Sequence, residues 1–153
     1  MTKSKRLQPV VRVSETRERN AARLLAQATQ RLQEAEERLK ELQHYRDEYE
    51  QNFQRDSHVG VGAAKLRDYR SFMAQLHQAI DFQQRKLSEA TAACEAARQT
   101  WLASRTRCRV LDKVVDNHRR AERKDEDRRE QRDQDERAYY AKNGSNVNED
   151  DGK

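Results

Sequence analysis

The residues of this 153-residue chain that could do chemistry are scattered, and their spacing predicts no catalytic or metal site. Zinc needs three or four ligands, yet the four histidines share no close-spaced motif, and only His44 and His77 could meet across a helical hairpin. The glycines at 60 and 62 do not form a phosphate-binding loop. No nucleophile stands beside an organised base. We therefore expect no catalytic residue, no metal, no cofactor and no enzyme activity.

Aromatic side chains are better candidates for function, because they could bind a partner. Tyr45, Phe72 and Phe82 fall beside the apolar stripe of the chain rather than on it. Exposed rings on a charged protein usually mark a binding surface. The alternative is that the rings fold over the stripe and widen the core, and the pattern alone favours neither. The predicted patch consists of Leu42, Tyr45, Tyr49, Phe72, Leu76 and Ala79.

The elements that must position these rings are two helices, each marked by an apolar seam that steps by alternating three and four residues. This average of 3.5 residues is the coiled-coil period. The first seam runs through positions 7, 11, 14, 18, 21, 25, 28, 32, 35, 39, 42, 46, 49 and 53. The second runs through positions 66, 69, 73, 76, 80, 83, 87, 90, 94, 97, 101, 104, 108, 111, 115 and 118.

The two seams predict an all-α fold, a long antiparallel two-helix coiled-coil hairpin over residues 1–141. Helix 1 is expected at about 7–54, with Pro9 in its first turn, where a missing N–H costs nothing. The glycine-containing stretch 55–62 is the turn, and helix 2 follows at about 63–141. The N-terminal end of helix 1 should lie opposite residues 112–115 of helix 2, so that helix 2 extends beyond helix 1. Residues 142–153 are expected to be a disordered tail.

Charge is concentrated at the N-terminus, since residues 1–23 hold seven basic and two acidic side chains while the rest of the chain is neutral. A basic end could meet an acidic protein, an anionic membrane surface or nucleic acid. Residues 119–137 contain one alanine and otherwise only polar or charged side chains, so they cannot bury a core. This segment is either a solvated single helix or an arm that docks on a partner. No stretch reaches the roughly 20 apolar residues that a membrane span needs.

The ordered combination of these features resembles the FliJ family of flagellar export proteins. The resemblance lies in AEERLKELQHYRDEYE at 35–50, the glycine-bearing turn, LRDYRSFMAQLHQAI at 66–80 and ARQTWLASR at 97–105. Its specific part is the pairing of Leu42, Tyr45 and Tyr49 with Tyr69, Phe72 and Leu76. It covers roughly residues 10–138.

The resemblance implies a cytoplasmic, non-enzymatic component of the type III export apparatus, peripherally associated with the inner membrane. It implies a stalk-like coiled coil whose partners are the hexameric export ATPase, the cytoplasmic linker of the membrane export gate and export chaperones. The aromatic patch is then the gate-binding surface, and Arg38 and Gln83 lie beside it without being counted among its residues. The expected contacts to the ATPase ring are basic residues of the terminal end, namely Arg6, Arg12, Arg17, Arg119, Arg120 and Arg123.

Other functions remain open at this point. A general coiled-coil adaptor or the stalk protein of a virulence-type injectisome would share the same pattern. A nucleic-acid-binding helical protein is a further alternative, since the isoelectric point is near 9.4. Against it, the arginines of residues 119–137 are matched by acids and the aromatic residues lie away from the basic end, so we expect no nucleic-acid partner.

Overall fold

A computed structural model of the protein describes residues 1–147, and the side chains of residues 1–145. It contains two α-helices, α1 (Lys3–Ser57) and α2 (Ala63–Val147), and no strand within that range. The helices pack against each other in antiparallel order, which confirms the predicted all-α hairpin. Every predicted seam position from 7 to 118 is buried or half-buried. The 3.5-residue spacing therefore identified the packed stripe of both helices.

Contacts group the described chain into two compact units, each built from segments of both helices. Unit 1 contains residues 1–15 and the chain from 106 onward, and unit 2 contains residues 16–105. The description of residues 1–141 as one domain stays a prediction. Each unit is described separately below.

Unit 2 holds the better-filled core. Its buried cluster is formed by Met73, Leu76 and Ile80 of α2, which are 7%, 6% and 4% exposed. Farther along, Ala21 and Ala35 of α1 are buried as well, and such small side chains allow two helices to approach closely. Partly buried residues that pack against the cluster are Leu39, Leu42, Tyr49, Tyr69 and Phe72.

In unit 1, the start of α1 differs from the prediction. The helix begins at Lys3 rather than near residue 7, and Pro9 lies inside it rather than in its first turn. The physical reason is a cap supplied by the other helix: a Glu122 oxygen accepts the Ser4 N–H at 3.0 Å, and its second oxygen accepts the Ser4 hydroxyl at 2.7 Å. The first turn of α1 carries no acidic residue of its own, so this carboxylate satisfies a free N–H of the helix end.

The same contact shows that α1 pairs with α2 as far as Glu122. The expectation that helix 1 ends opposite residues 112–115 was therefore wrong. Part of the difference arises because α1 starts four residues earlier than predicted. The rest arises because the pairing in unit 1 is shifted along α2, where Ser14 contacts Cys108 and Ser4 contacts Glu122. Residues 123–145 of α2 are all exposed, so α2 does extend beyond α1.

The turn between the helices is shorter than predicted, because α1 continues to Ser57 and α2 begins at Ala63. The Ser57 hydroxyl donates to the Gln54 carbonyl at 2.8 Å, and the Gly60 N–H donates to the Ser57 carbonyl at 3.2 Å. Gly60 has a φ of 94°, which a residue with a side chain rarely adopts. A glycine is needed there to reverse the chain after α1.

The end of α2 also differs from the prediction. The helix continues to Val147, so residues 142–147 are helical rather than disordered. Gly144 lies within this last stretch, and the Ser145 hydroxyl donates back to the Ala141 carbonyl at 2.8 Å. The rest of the predicted tail, residues 148–153, lies outside the described residues.

Candidate partner-binding site

The candidate site of unit 2 is a cluster of aromatic rings contributed by both helices close to the turn. Tyr45 and Tyr49 lie one helical turn apart on α1, and Tyr69 and Phe72 lie three residues apart on α2. The Tyr45 and Phe72 ring centroids are 5.8 Å apart in an edge-on arrangement. Those of Tyr49 and Phe72 are 4.3 Å apart, and the Tyr49 ring stacks on Tyr69 at 5.7 Å. The antiparallel pairing thus joins the predicted rings.

The rings divide between the core and the surface of unit 2. Tyr49 and Phe72 are half-buried and pack against the cluster around Met73, which widens the core. Tyr45 is 49% exposed and presents one side of its ring to solvent. Leu76 is buried, so it supports the rings from beneath rather than offering a contact surface. The half-exposed Tyr45 ring therefore lies on a packed base, which is formed by Tyr49, Phe72 and Leu76.

The remaining predicted members lie at the edges of this base. Leu42 is half-buried and lines an open groove of about 580 Å³ together with Arg38, Glu41, Tyr45 and Gln83. Ala79 is half-buried on α2. Phe82, beside the seam, is 53% exposed and carries the Lys86 ammonium 4.8 Å from its ring centre. Tyr45 therefore shares this groove with charged side chains, Arg38 and Glu41, and with the polar side chain of Gln83.

The prediction missed the part of the aromatic cluster nearest the turn. The Phe53 ring stacks on Tyr69 with centroids 3.7 Å apart, and both line a recess of about 320 Å³. Both residues occupy seam positions, where an aromatic residue is ordinarily a core residue, so no sequence pattern pointed to this recess. The other residues around it are Tyr49, Asn52, Asp56, Val61, Lys65 and Asp68.

The surroundings of Tyr69 keep its phenol neutral. Burial raises the pKa of Tyr69, and the charges of Glu50 and Tyr49 raise it further. A neutral phenol retains its O–H and can donate a hydrogen bond as well as accept one. The site therefore offers ring faces and hydroxyl groups to a partner.

The six arginines expected to contact an ATPase do not form one cluster. Arg17 belongs to unit 2, and the others belong to unit 1. Within unit 1, Arg6 immediately precedes a seam residue, whereas Arg12 and Arg119 immediately follow one, so they lie on opposite sides of the helix pair. Arg120 and Arg123 are exposed at the point where pairing ends. The sequence placed these residues at one end but could not place them on one side.

Two observations concern functions of other kinds. His44 lies 3.1 Å from Glu48 on its own helix, and residues 1–147 contain no group of three or more His, Cys, Asp or Glu side chains placed to hold a metal ion. Over the same residues, neither helix contains an 18-residue stretch apolar enough to cross a bilayer.

Comparison with known proteins gives consistent matches. The family model described as "Flagellar FliJ protein" matches residues 3–146. The chain is 30% identical over 122 residues to the flagellar FliJ protein of Salmonella typhi. The aligned residues cover 80% of this chain and 83% of the relative. Identity and coverage are the same for the flagellar FliJ protein of Escherichia coli strain K12. No solved structure matches the chain.

Proposed function

Because the chain belongs to the flagellar FliJ protein family, we propose that it acts as a stalk that joins the hexameric export ATPase to the membrane export gate. Membership of the family makes the chain a component of flagellar protein export. The stalk role is the proposal, together with the handling of export chaperones on the cytoplasmic side of the inner membrane. The proposed action is binding and mechanical coupling, without catalysis by the chain itself.

The observation that carries the proposal is the half-exposed Tyr45 ring on its packed base. Tyrosine is enriched among the residues that dominate binding energy, because a rigid ring covers a large area at a low entropic cost. Phe72 fixes the Tyr45 ring from the side, and Tyr49 lies 6.4 Å away on the same helix. The ring is therefore positioned before any partner arrives.

The cytoplasmic linker of the export gate is the partner that we assign to this cluster. The open groove beside Tyr45 is lined by Leu42 and Gln83, with Arg38 and Glu41 at its edge. Such a surface suits a short peptide segment with an apolar or aromatic anchor, because the anchor packs on the ring while polar groups at the edge bind the flanking residues. Two further predicted gate-binding residues contribute differently: Ala79 is half-buried at the surface beside the rings, and Leu76 is buried beneath them.

The ATPase is assigned to the other unit. Unit 1 carries most of the excess positive charge of the N-terminus, and arginine is the residue best suited to bidentate contacts with carboxylates. Arg6, Arg12, Arg119, Arg120 and Arg123 are the proposed contacts, and Arg17 of unit 2 is a further one. Their distribution over both sides of the helix pair suits a partner that encloses the helices rather than one that touches a single side.

A single substitution tests the gate assignment. Replacing Tyr45→Ala should weaken binding of the purified gate linker by about tenfold or more, which corresponds to roughly 1.4 kcal/mol. Because Tyr45 is half-exposed and lies outside the buried cluster, the melting temperature should change little. Isothermal titration with the linker, combined with circular dichroism, measures both quantities.

Tyr140→Ala is the matched control, since Tyr140 is 71% exposed and lies on α2 far along the chain from the cluster. This variant should bind the linker like the unaltered protein. Unchanged binding by the Tyr45→Ala variant would show that the cluster is not the gate-binding surface. Retention of ATPase binding by that variant separates the two assignments.

A further inference from the structure

A second surface, in unit 1, has an apolar centre that the proposed function does not use, although one residue at its edge, Arg6, is also a proposed ATPase contact. In an α-helix, a residue immediately before a seam residue lies about 100° to one side of the seam. In an antiparallel pair, these preceding positions of both helices lie on the same side. Tyr45 and Phe72 demonstrate this in unit 2, because both precede seam residues and their rings touch.

In unit 1, the preceding positions hold four exposed valines. The Ser14 and Cys108 side chains lie 3.1 Å apart across the helices, which places Val13 and Val110 opposite each other at one level. Val10 and Val114 lie one turn away on their helices. We name these residues the valine face, and their exposed fractions are 48% for Val10, 52% for Val13, 55% for Val110 and 37% for Val114.

The charge around the valine face has one sign. Among the remaining preceding positions of unit 1, Lys3, Arg6 and Arg107 are basic and none is acidic. The acids of the paired region, Glu15, Asp112 and Asp116, immediately follow seam residues and so lie on the other side. The face is thus apolar at its centre and basic at its edge. The other preceding positions are Asn117 and Ala121.

The core beneath the valine face is thin. Among the described residues of unit 1, Val115 is the buried apolar side chain, at 5% exposure, whereas unit 2 buries five. At the level of Val13, the seam is filled by the small side chains of Ser14 and Cys108. Two helices with so little between them leave an apolar flank that a third helix would cover.

We propose that the valine face docks an acidic amphipathic α-helix of a partner protein. The valines form an apolar strip along two antiparallel helices, and a third helix with apolar residues at i, i+3, i+4 and i+7 packs against such a strip. Aspartates and glutamates at the margins of that helix pair with Lys3, Arg6 and Arg107. The inference goes beyond the proposed function, since it states the chemistry of the bound element and does not require that the ATPase or the gate supplies it.

Two other occupants fit less well. A second copy of the chain, docked by the same face, would bring like charges of Lys3, Arg6 and Arg107 together. An anionic membrane would accept the charge, but surface-bound helices insert tryptophan, phenylalanine or leucine, and the face offers only short valine side chains. The short apolar side chains and the basic edge of the valine face both favour the acidic helix.

Site-specific photocrosslinking in motile cells tests the proposal directly. A photoreactive phenylalanine analogue replaces Val13 in the full-length chain, and mass spectrometry identifies the crosslinked peptide. The expected peptide is helical, amphipathic and net negative. A peptide that is basic or non-helical, a second copy of the chain, lipid alone, or no crosslink at all would each overturn the proposal.

Paired substitutions supply the quantitative test. With the photoreactive residue at position 10, the double change Val13→Ser and Val110→Ser should lower crosslink yield by about tenfold. Folding should be intact by circular dichroism, because both valines are about half-exposed. Val59→Ser is the matched control, since Val59 is 91% exposed in the turn and should leave the yield unchanged. Equal yields from the double variant and the control would refute the valine face as a docking surface.

Charge is tested separately from apolar contact. Arg6→Glu combined with Arg107→Glu should lower the same yield by about tenfold, whereas Arg109→Glu combined with Lys113→Glu, away from the preceding positions, should not. Flotation with phosphatidylglycerol vesicles should leave the protein unbound, and binding abolished by the valine changes would identify a membrane surface instead. Binding of the gate linker, which reports on Tyr45, should be unaffected by all these variants. A failure of the gate assignment can therefore be distinguished from a failure of the valine-face proposal.

Discussion

At the scale of single residues, several polar side chains of the seams form hydrogen bonds across the two helices. The Trp101 indole N–H donates to Glu18 at 3.0 Å, and the buried Gln83 amide donates to the Ala35 carbonyl at 3.2 Å. A buried polar group without a partner costs about 1–3 kcal/mol, so each bond penalises a pairing that would separate its partners. These residues therefore specify the register of the hairpin in addition to packing it.

The Ser4–Glu122 contact leads to a prediction about pH. The hydroxyl and N–H groups of Ser4 lower the pKa of Glu122 below its ordinary value, since both donate to the charged carboxylate. The contribution to stability is therefore present above the ordinary carboxyl pKa and is lost as the pH falls through the lowered one. Glu122→Ala should lower the melting temperature at neutral pH, and this difference should vanish in acid.

A series of melting curves from neutral pH downward checks this prediction. Glu130→Ala is the control, because Glu130 is an exposed carboxylate of α2 beyond the paired region. It should melt like the unaltered protein throughout. A deficit of the Glu122→Ala variant that stays constant into acid would show that the carboxylate charge does not act through Ser4.

At the scale of elements, the end of α2 is held by local interactions. Residues 123–145 are exposed, and their recorded bonds join neighbours on the same helix. The Gln131 amide donates to Asp135 at 3.1 Å, and the Arg132 guanidinium donates to the Arg128 carbonyl at 3.3 Å. Opposite charges three and four residues apart contribute about 0.2–0.5 kcal/mol per pair. This segment is therefore a helix without a tertiary anchor among the described residues.

Truncation distinguishes the anchored and unanchored parts of α2. A chain that ends after Arg123 should lose the helical signal of residues 124–147 but keep its melting temperature, because the side chains of residues 124–145 are all exposed. A chain that ends after Arg119 also loses Glu122, and with it the cap on α1, so it should melt earlier. Circular dichroism during heating measures both. Equal melting of the two truncated chains would contradict the role given to Glu122.

At the scale of the whole molecule, apolar burial is uneven. Unit 2 contains the cluster of Met73, Leu76 and Ile80, whereas unit 1 buries Val115 among its described apolar residues. Burial of apolar area is the main favourable term in folding, so unit 2 supplies more of the stability. The exposed aromatic site lies on that stable unit, and the valine face lies on the less filled one. The two proposed binding surfaces therefore lie in different units.

The uneven core predicts where substitutions matter. Ile80→Ala should lower the free energy of unfolding by about 2–5 kcal/mol, because it opens a cavity beside Met73 and Leu76. Leu102→Ala removes a similar side chain that is 38% exposed, and it should cost markedly less. Urea unfolding followed by circular dichroism measures both. Similar losses from the two variants would show that the cluster around Ile80 is not the main source of stability.

The sequence alone determined the fold, because a 3.5-residue period leaves two long helices only one stripe each to bury, and Gly60 marks the reversal between them. It also brought Tyr45 and Phe72 to one level, since antiparallel pairing about a known turn fixes which residues meet. It could not fix the helix ends, because Glu122 lies 118 positions from the Ser4 it caps. Nor could it decide that Tyr45 is exposed while Leu76 is buried. Exposure depends on how neighbouring rings pack against one another, and that packing exists only once the two helices are in contact.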